Sequence, residues 1–296
     1  MEYDERMEIV ERRSYHVVKA NEIIQQARYD LTLKELKLLG YLISLVKPND
    51  AEDKKYTMTI KEYCNIRGID GSGKNYISIK KTIKSLRDKS FWIQNEEGTE
   101  TLVGWLGGAN LIKRTGKINL WFDAELQKYI VGLRGNYTQY ELLATLPMKS
   151  AYSIRLYELL KSYSYNHDNV QIDIEELKER TGSKDMYSDF RNFRRRVLDM
   201  AVREINLYTD LEVSYSTIKS IKTITAILFY LKKKNLDGRI AAYDAAEREL
   251  DGDTIKGQIT VQEYLDSMNG DLQSDKPVNE LEAGAEAFVQ ELHGTP

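Results

Sequence analysis

Cysteine, proline and histidine are scarce in this sequence, and the scarcity excludes whole classes of site. Of 296 residues only Cys64 is a cysteine, so the chain can form neither an internal disulfide nor a multi-cysteine zinc site. His16, His167 and His293 lie far apart and show none of the spacings typical of metal-dependent enzymes. We therefore predict a protein without a metal, a cofactor or a catalytic site, and not an enzyme.

Long apolar runs are also absent. No stretch approaches the roughly 20 residues that a membrane span requires, and the charged segment MEYDERMEIVERR lacks the apolar core of a secretory signal. With 42% hydrophobic and 30% charged residues, the composition is that of a soluble chain with room for two domains. We expect a cytoplasmic protein with no membrane partner.

The charge is divided unevenly along the chain. Residues 236–296 carry 14 acidic and 4 basic side chains, so the net charge of −3 for the whole chain leaves +7 on residues 1–235. A basic body can approach phosphate groups, whereas an acidic tail is repelled by them.

One sequence pattern occurs twice, 114 positions apart. The matched pairs are Ile60 with Ile174, Gly68 with Gly182, Tyr76 with Phe190, Ile79 with Phe193, Ile83 with Val197, and Leu86 with Met200. An unbroken register over residues 60–86 is typical of a supersecondary unit present in two copies.

Both copies have the same predicted order of helix, strand, short helix, long helix and hairpin. In the first copy a capping box, Thr32 with Glu35, begins the first helix. The further elements are predicted at 56–60, 61–67, 75–89, 91–94, 101–106 and 118–122. The second copy is predicted at 154–163, 170–174, 175–180, 187–206, 211–218 and 223–231. This order is that of a winged helix, in which the last helix enters the major groove and the hairpin flanks it.

We therefore predict an α+β protein with two tandem winged-helix domains. Residues 1–134 would form the N-terminal domain, 135–235 the C-terminal domain and 236–296 an acidic tail. A turn-rich linker is expected at 132–147. The tail has weak helical stretches at 239–250, 261–268 and 279–292, and we expect it to be partly disordered.

The long helix of the second copy carries an arginine cluster. If its apolar residues face the core, Ser188, Arg191, Asn192 and Arg195 fall at i, i+3, i+4 and i+7 on one exposed face near the helix start. Arginine matches O6 and N7 of guanine, and asparagine can do the same for adenine. We predict that these four residues read base edges.

A second group of basic residues is better placed for phosphates. It comprises Lys184, Arg194, Arg196, Lys219 and Lys222. Phosphate contacts hold a protein on the duplex without reading sequence. The alternative for the whole cluster is a solvated charged face, with Asp185, Asp189 and Asp199 as ion-pair partners.

The first copy has lysines where the second has arginines. Lys74, Ser78 and Lys81 are the candidate DNA contacts here. Because lysine offers little bidentate geometry, this copy is expected to make a weaker phosphate contact, a dimer surface, or both.

Residues 68–75 nearly spell a phosphate-binding loop. Asn75 stands where the magnesium-binding Ser or Thr should be, and the preceding segment KEYCNIR is not an apolar strand. We favour a simple turn between two helices, and keep a nucleotide-driven protein as an alternative that uses Gly68 to Lys74.

Three segments resemble a known family over residues 17–234. They are VVKANEIIQQARYDLTLKELKLLGYLIS, then LQKYIVGLRGNYTQYELLATLPMKSAYSIRLYELLKSY, then DFRNFRRRVLDMAVREINLYTDLEVSY followed by ITAILFYLKKK. The family is that of the iteron-binding plasmid replication initiators, Rep proteins with two winged-helix domains.

The resemblance implies a function. Members bind directly repeated sites (iterons) in double-stranded DNA at a plasmid origin, help to open it, and recruit host replication proteins such as a helicase or the host initiator. They form homodimers through the N-terminal domain, which often repress their own promoter. By position, the reading helix falls on residues 188–196. The tip Ser220-Ile221-Lys222 departs from the family, whose wing often carries a glycine and two basic residues there. The competing reading is a tandem winged-helix transcriptional regulator without a replication role.

Overall fold

The computed structural model describes residues 3–51, 53–94, 98–112, 115–221 and 223–251. The α-helices are α1 (Tyr3–Ser14), α2 (Asn21–Gln25), α3 (Leu33–Ser44), α4 (Ile60–Ile66), α5 (Gly73–Asp88), α6 (Ala124–Gln127), α7 (Ala151–Tyr163), α8 (Ile174–Thr181), α9 (Phe190–Phe193), α10 (Asp199–Tyr208) and α11 (Leu236–Asp251). A 3₁₀ turn covers Leu142–Ala144, and a π-helical turn, Arg194–Leu198, joins α9 to α10.

The strands form four small antiparallel sheets. They are β1 (His16–Ala20), β2 (Tyr56–Thr59), β3 (Ser90–Gln94), β4 (Glu100–Gly104), β5 (Leu106–Leu111), β6 (Lys117–Phe122), β7 (Tyr137–Glu141), β8 (Asn169–Asp173), β9 (Leu211–Ser220) and β10 (Thr223–Lys233). The sheet orders are β1-β7, β3-β4, β2-β6-β5 and β8-β10-β9.

The two predicted winged helices are confirmed. The first copy contains α3, β2, α4, α5 and the sheet β2-β6-β5. The second contains α7, β8, α8, the long helix from Phe190 to Tyr208, and the sheet β8-β10-β9. In each copy the strand after the first helix pairs with the last strand of the hairpin.

Side-chain caps fix the helix starts that the sequence predicted. The Thr32 hydroxyl accepts a hydrogen bond from the Glu35 amide, and the Glu35 carboxylate accepts one from the Thr32 amide at 2.6 Å. The predicted capping box is therefore present, and α3 begins at Leu33, one residue after Thr32. The Thr59 hydroxyl and the Asp173 carboxylate also accept from backbone amides at the starts of α4 and α8, at equivalent positions of the two copies.

The sheet region of the first copy differs from the prediction. A single strand was expected at 101–106, but the chain forms β4 and β5 with Trp105 between them. The Trp105 indole is buried, with ring centroids 4.5 Å from Phe91 and 4.7 Å from Tyr29. Packing of this one ring bends the strand, which then pairs with β3 before the bend and β6 after it.

Helix α7 lies at the centre of the molecule and is buried on nearly all sides. Three of its charged residues, Arg155, Glu158 and Lys161, are buried and each has partners. Lys19 of β1 donates to Glu158 at 2.6 Å, and Tyr140 of β7 also donates to it.

The predicted linker contains an unpredicted strand. Strand β7 pairs with β1, with Val17 opposite Tyr140 and Lys19 opposite Thr138. This pairing crosses the predicted boundary between residues 134 and 135. The division into domains 1–134 and 135–235 stays a prediction, but 137–141 is not an open linker.

Part of the predicted tail is folded. The helical stretch predicted at 239–250 is present as α11, and its residues Ala242, Ala246 and Glu247 are buried. Ionic and apolar contacts with α1 and α10 hold this helix in place. The stretches at 261–268 and 279–292 lie outside the described residues.

Within the described ranges, no helix is both long and apolar enough to cross a membrane. The same residues contain no cluster of three or more His, Cys, Asp or Glu side chains that could hold a metal ion.

Lys37 of α3 gives the fold a testable pH dependence. It is buried and donates to the Leu146 carbonyl, and burial, followed by the nearby Arg67, lowers its pKa from 10.5 to about 7. Between those two values the unfolded chain binds more protons than the folded chain. The free energy of unfolding should therefore rise with pH in this window, by at most ~1.4 kcal/mol per pH unit.

Lys37→Met should remove this contribution. We expect urea denaturation of the wild type and the variant at pH 7 and pH 9.5 to show a smaller rise in the variant. The exposed Lys117→Met is the matched control. An equal rise in wild type and Lys37→Met would contradict the assignment.

Candidate nucleic-acid interface

The long helix of the second copy begins later than predicted. Asp189 is its N-cap: the Asp189 carboxylate accepts from the Asn192 amide at 2.9 Å and from the Asn192 side chain at 2.6 Å. The helix starts at Phe190 instead of residue 187. Ser188 is exposed but precedes the cap, so its predicted place on the helical reading face is wrong.

A π-helical turn interrupts this helix at Arg194–Leu198. Regular α-helical spacing placed Val197, but not Leu198, on the core side of the helix. Both side chains are fully buried. A π turn holds more residues than an α turn, which allows two consecutive side chains to reach the core. Arg194, Arg195 and Arg196 therefore share one wide, exposed turn, in which Arg195 still donates to the Asn192 side-chain oxygen at 3.4 Å.

Three arginines of the cluster form no salt bridge within the described part of the chain. Arg191, Arg195 and Arg196 are exposed, and none of them forms a salt bridge with any residue that the structure describes. The alternative of a self-neutralised charged face would require Asp185, Asp189 or Asp199 to pair with them. Asp189 is engaged instead in capping the helix.

Arg194 is different from its neighbours. Its guanidinium lies 3.6 Å from the Asp199 carboxylate, which also accepts a hydrogen bond from the Tyr215 hydroxyl at 2.5 Å. Tyr215 first and then Asp199 raise the pKa of Arg194. Arg194 is thus turned toward a shallow groove between α10 and β9, which is also lined by Val213 and Thr217.

The other predicted phosphate contacts surround this helix. Lys184 is exposed and pairs with Glu179 of α8, whose hydrogen bond raises the Lys184 pKa. Lys219 is exposed near the end of β9. Lys222 lies outside the described residues. Tyr215 was missed by the sequence analysis, because its link to Arg194 through Asp199 depends on how the hairpin packs against the helix.

The wing tip is a tight turn with an apolar residue. Ser220 pairs with Thr223, and Ile221 follows Ser220 directly. Ile221 is 96% exposed and has φ of +57°, a conformation that β-branched residues rarely adopt.

The first copy presents lysines along α5. Lys74 and Lys81 are exposed and form no salt bridge among the described residues. Ser78 is half-buried and its hydroxyl accepts from Lys34 of α3 at 2.9 Å. Of the three predicted contacts, Ser78 is thus the least accessible.

The segment that resembles a phosphate-binding loop is a turn between α4 and α5, as favoured. The Asp70 carboxylate accepts from the Ser72 amide at 3.0 Å and from the Asn75 side chain at 2.9 Å. Gly68 has φ of +60° and lies against the Leu250 carbonyl of α11. The loop is closed on itself by Asp70, so its geometry gives no support to the nucleotide-driven alternative.

Comparison with known proteins identifies two matching family models. The first, described as "Initiator Replication protein, WH1", matches residues 16–161. The second, "Initiator Rep protein, WH2", matches residues 173–231. Together they cover most of both copies.

Two curated relatives and one solved structure are similar. A "Replication initiation protein" from Escherichia coli is 24% identical over 259 residues, which is 84% of this chain and 79% of the relative. The "PI protein" from Escherichia coli is 32% identical over 111 residues, 32% of this chain and 36% of the relative. A crystal structure of the Pi initiator protein in complex with iteron DNA matches with a TM-score of 0.61 and 20% identity. The match covers 75% of this chain and 99% of that one.

The left-handed backbone conformation of Ile221 can be tested by substitution. Left-handed backbone costs most residues roughly 1–2 kcal/mol, and asparagine less. Ile221→Asn should therefore raise the free energy of unfolding by ~1 kcal/mol in urea denaturation. Ile221→Val, which keeps the branched Cβ, is the control and should give no gain. Equal stability of the Asn variant and the wild type would show that Ile221 is not strained.

Proposed function

The chain belongs to the family of initiator replication proteins, and on that premise we propose that it binds repeated sites in double-stranded DNA at a plasmid origin. The observation that supports this most is the turn of exposed arginines near the start of the second long helix. In a winged helix this part of the long helix enters the major groove.

Base recognition falls to Arg191, Asn192 and Arg195. The Asn192 side chain lies between its donor contact to Asp189 and its acceptor contact from Arg195. These two contacts hold it near the helix start. A guanidinium fork presented in the groove suits guanine, and the asparagine amide suits adenine. Ser188, just before the cap, contacts the phosphate backbone of the DNA in this proposal.

Residues proposed to contact phosphate surround these three base-reading residues. Arg196 and Lys219 are exposed without a salt bridge in the described part of the chain, whereas Arg194 and Lys184 must first loosen their pairs with Asp199 and Glu179. We propose that DNA phosphate replaces these carboxylates as the partner. Lys222 at the wing tip would add a further phosphate contact. Such contacts supply affinity but little sequence choice.

The first copy has an auxiliary role on the DNA. Lys74 and Lys81 of α5 contact phosphate, and the serine and threonine residues between the lysines offer no guanidinium for base reading. The predicted homodimer through the N-terminal domain finds a candidate surface on the β3-β4 hairpin. Trp92 and Leu102 face each other across it and are 59% and 50% exposed.

The remaining steps are proposed from the family alone. Bound to its repeats in the cytoplasm, the protein helps to open the origin and recruits host replication proteins such as a helicase or initiator, without catalysis of its own. As a dimer it represses its own promoter. The competing function, a transcriptional regulator without a replication role, is distinguished by the DNA beside the coding region. Tandem repeats about two helical turns apart favour initiation, because they place successive proteins on one face of the duplex.

Replacement of the reading arginines should relax sequence choice. Arg191→Ala or Arg195→Ala should cost on the order of 1–3 kcal/mol of binding on the specific repeat and much less on a scrambled duplex. Arg203→Ala is the matched control, since Arg203 is an exposed arginine toward the other end of the same helix. Gel-shift titration on both duplexes measures the effect. Equal losses on the two duplexes would show that these arginines contact phosphates.

A further inference from the structure

Helix α11 ties the two winged helices together, and we propose that this tie determines the spacing between the two parts of a DNA site that the protein accepts. The proposal rests on the proposed function, because it assumes that both copies contact one site. The residues concerned are positioning residues and do not touch DNA themselves.

One end of α11 is fixed to the second copy. Strand β10 ends at Lys233 and α11 begins three residues later, with the Gly238 amide donating to the Asn235 side chain at 3.0 Å. Lys234 donates through its amide to the Asp210 carbonyl at 2.9 Å and through its ammonium group to the Asn206 carbonyl at 2.6 Å. The helix therefore leaves the wing in a fixed direction.

The other end of α11 is fixed to the first copy by an arginine without solvent exposure. Arg13 of α1 pairs with Glu247 and, at 2.8 Å, with Asp251. The same guanidinium donates to the Ile66 carbonyl of α4 at 2.9 Å. Arg6 adds a second contact to Asp251 at 3.1 Å. Loss of Arg13 would leave the buried Glu247 without this partner, and a buried charge that has lost its partner is strongly destabilising.

Gly68 lets the first copy approach the backbone of this helix. A Cβ atom at position 68 would lie 2.0 Å from the Leu250 carbonyl oxygen, far inside any real contact. Gly68 stands in the turn between α4 and α5, so this close approach is made next to the long helix of the first copy. The contact cannot be kept if position 68 carries a side chain.

A second set of contacts between the two copies restricts how their long helices can move relative to each other. The first tie is made by β1, β7 and α7. The α11 tie joins different elements, namely α10 and β10 with α1 and α4, so that two separate sets of contacts hold the two long helices in one relative orientation. Arg13, Glu247 and Asp251 all lie outside the residues matched by the two family models, 16–161 and 173–231.

A fixed relative orientation of the two long helices makes the distance between the two DNA contacts part of the recognition. When two linked modules bind one duplex, the second contact is gained only if the linkage presents it at the correct distance. The proposed tie therefore lowers the affinity for sites whose two parts are shifted relative to each other, even when every base that the second copy reads is present.

The test uses Gly68→Ala in the full chain, with Gly132→Ala as the matched control. Both glycines have positive φ, +60° and +63°, but a Cβ at position 132 would meet only the Pro48 carbonyl at 3.5 Å, an ordinary contact. Asp251→Asn provides a second variant that weakens the tie without a steric clash. Hydrogen exchange of residues 236–251 reports whether α11 is released.

Binding is measured on three duplexes: one origin repeat, the same repeat with two base pairs inserted between its two footprints, and the part contacted by the second copy alone. We expect Gly68→Ala and Asp251→Asn to speed exchange in α11 and to weaken binding to the intact repeat by about tenfold. The penalty that the insertion imposes on the wild type should shrink at least about threefold in both variants. Binding to the partial duplex should be unchanged, and Gly132→Ala should behave as wild type.

Two results would overturn the proposal. One is faster exchange in α11 with the full insertion penalty retained, and the other is unchanged exchange in both variants. If the wild type binds none of the three duplexes in preference to scrambled DNA, the proposed function fails instead. In that case faster exchange of α5 in Gly68→Ala and Asp251→Asn, but not in Gly132→Ala, would still support the tie, and unchanged exchange would refute it.

Discussion

The buried ion pair between Lys19 and Glu158 is the contact on which the arrangement of the whole molecule depends. Lys19 lies on β1 and Glu158 on α7, and Tyr140 of β7 completes the cluster. Both charges are almost fully buried, and loss of one partner from such a pair typically costs about 3–5 kcal/mol. Because α7 is also the first helix of the second winged helix, this cluster fixes that domain to the start of the chain. The two copies are thus parts of one packed body.

The distribution of charge follows from the same principle. Acidic residues that lie near basic residues in the body are used in structure: Glu158 for Lys19, and Glu247 and Asp251 for Arg13. The exposed arginines of the π turn are left without such partners in the described part of the chain. Glu158, Glu247 and Asp251 thus hold the two copies together. The positive charge stays available on the surface that is proposed to meet DNA.

Local features were predictable from the sequence, and long-range ones were not. The capping box of Thr32 and Glu35, the 114-residue repeat and the second hairpin depend on neighbouring residues, and all are present. The bend at Trp105, the pairing of β1 with β7 and the docking of α11 depend on partners 14 to 245 positions away, so no local pattern indicated them. The long helix of the second copy is intermediate: the arginine cluster was found, but the predicted start at residue 187 misplaced Ser188, and the assumption of regular α-helical spacing missed the burial of Leu198.

Methylation interference on a duplex of tandem origin repeats tests the central claim, that the second copy reads bases through its arginine helix while the first copy contacts phosphates. Methylation of guanine N7 blocks the acceptor that arginine uses in the major groove. The account predicts that each repeat shows strong interference by methylated guanine in the part bound by the arginine helix, and little interference in the part bound by the lysine helix. Strong interference confined to the part bound by the lysine helix, or none in any repeat, would contradict it.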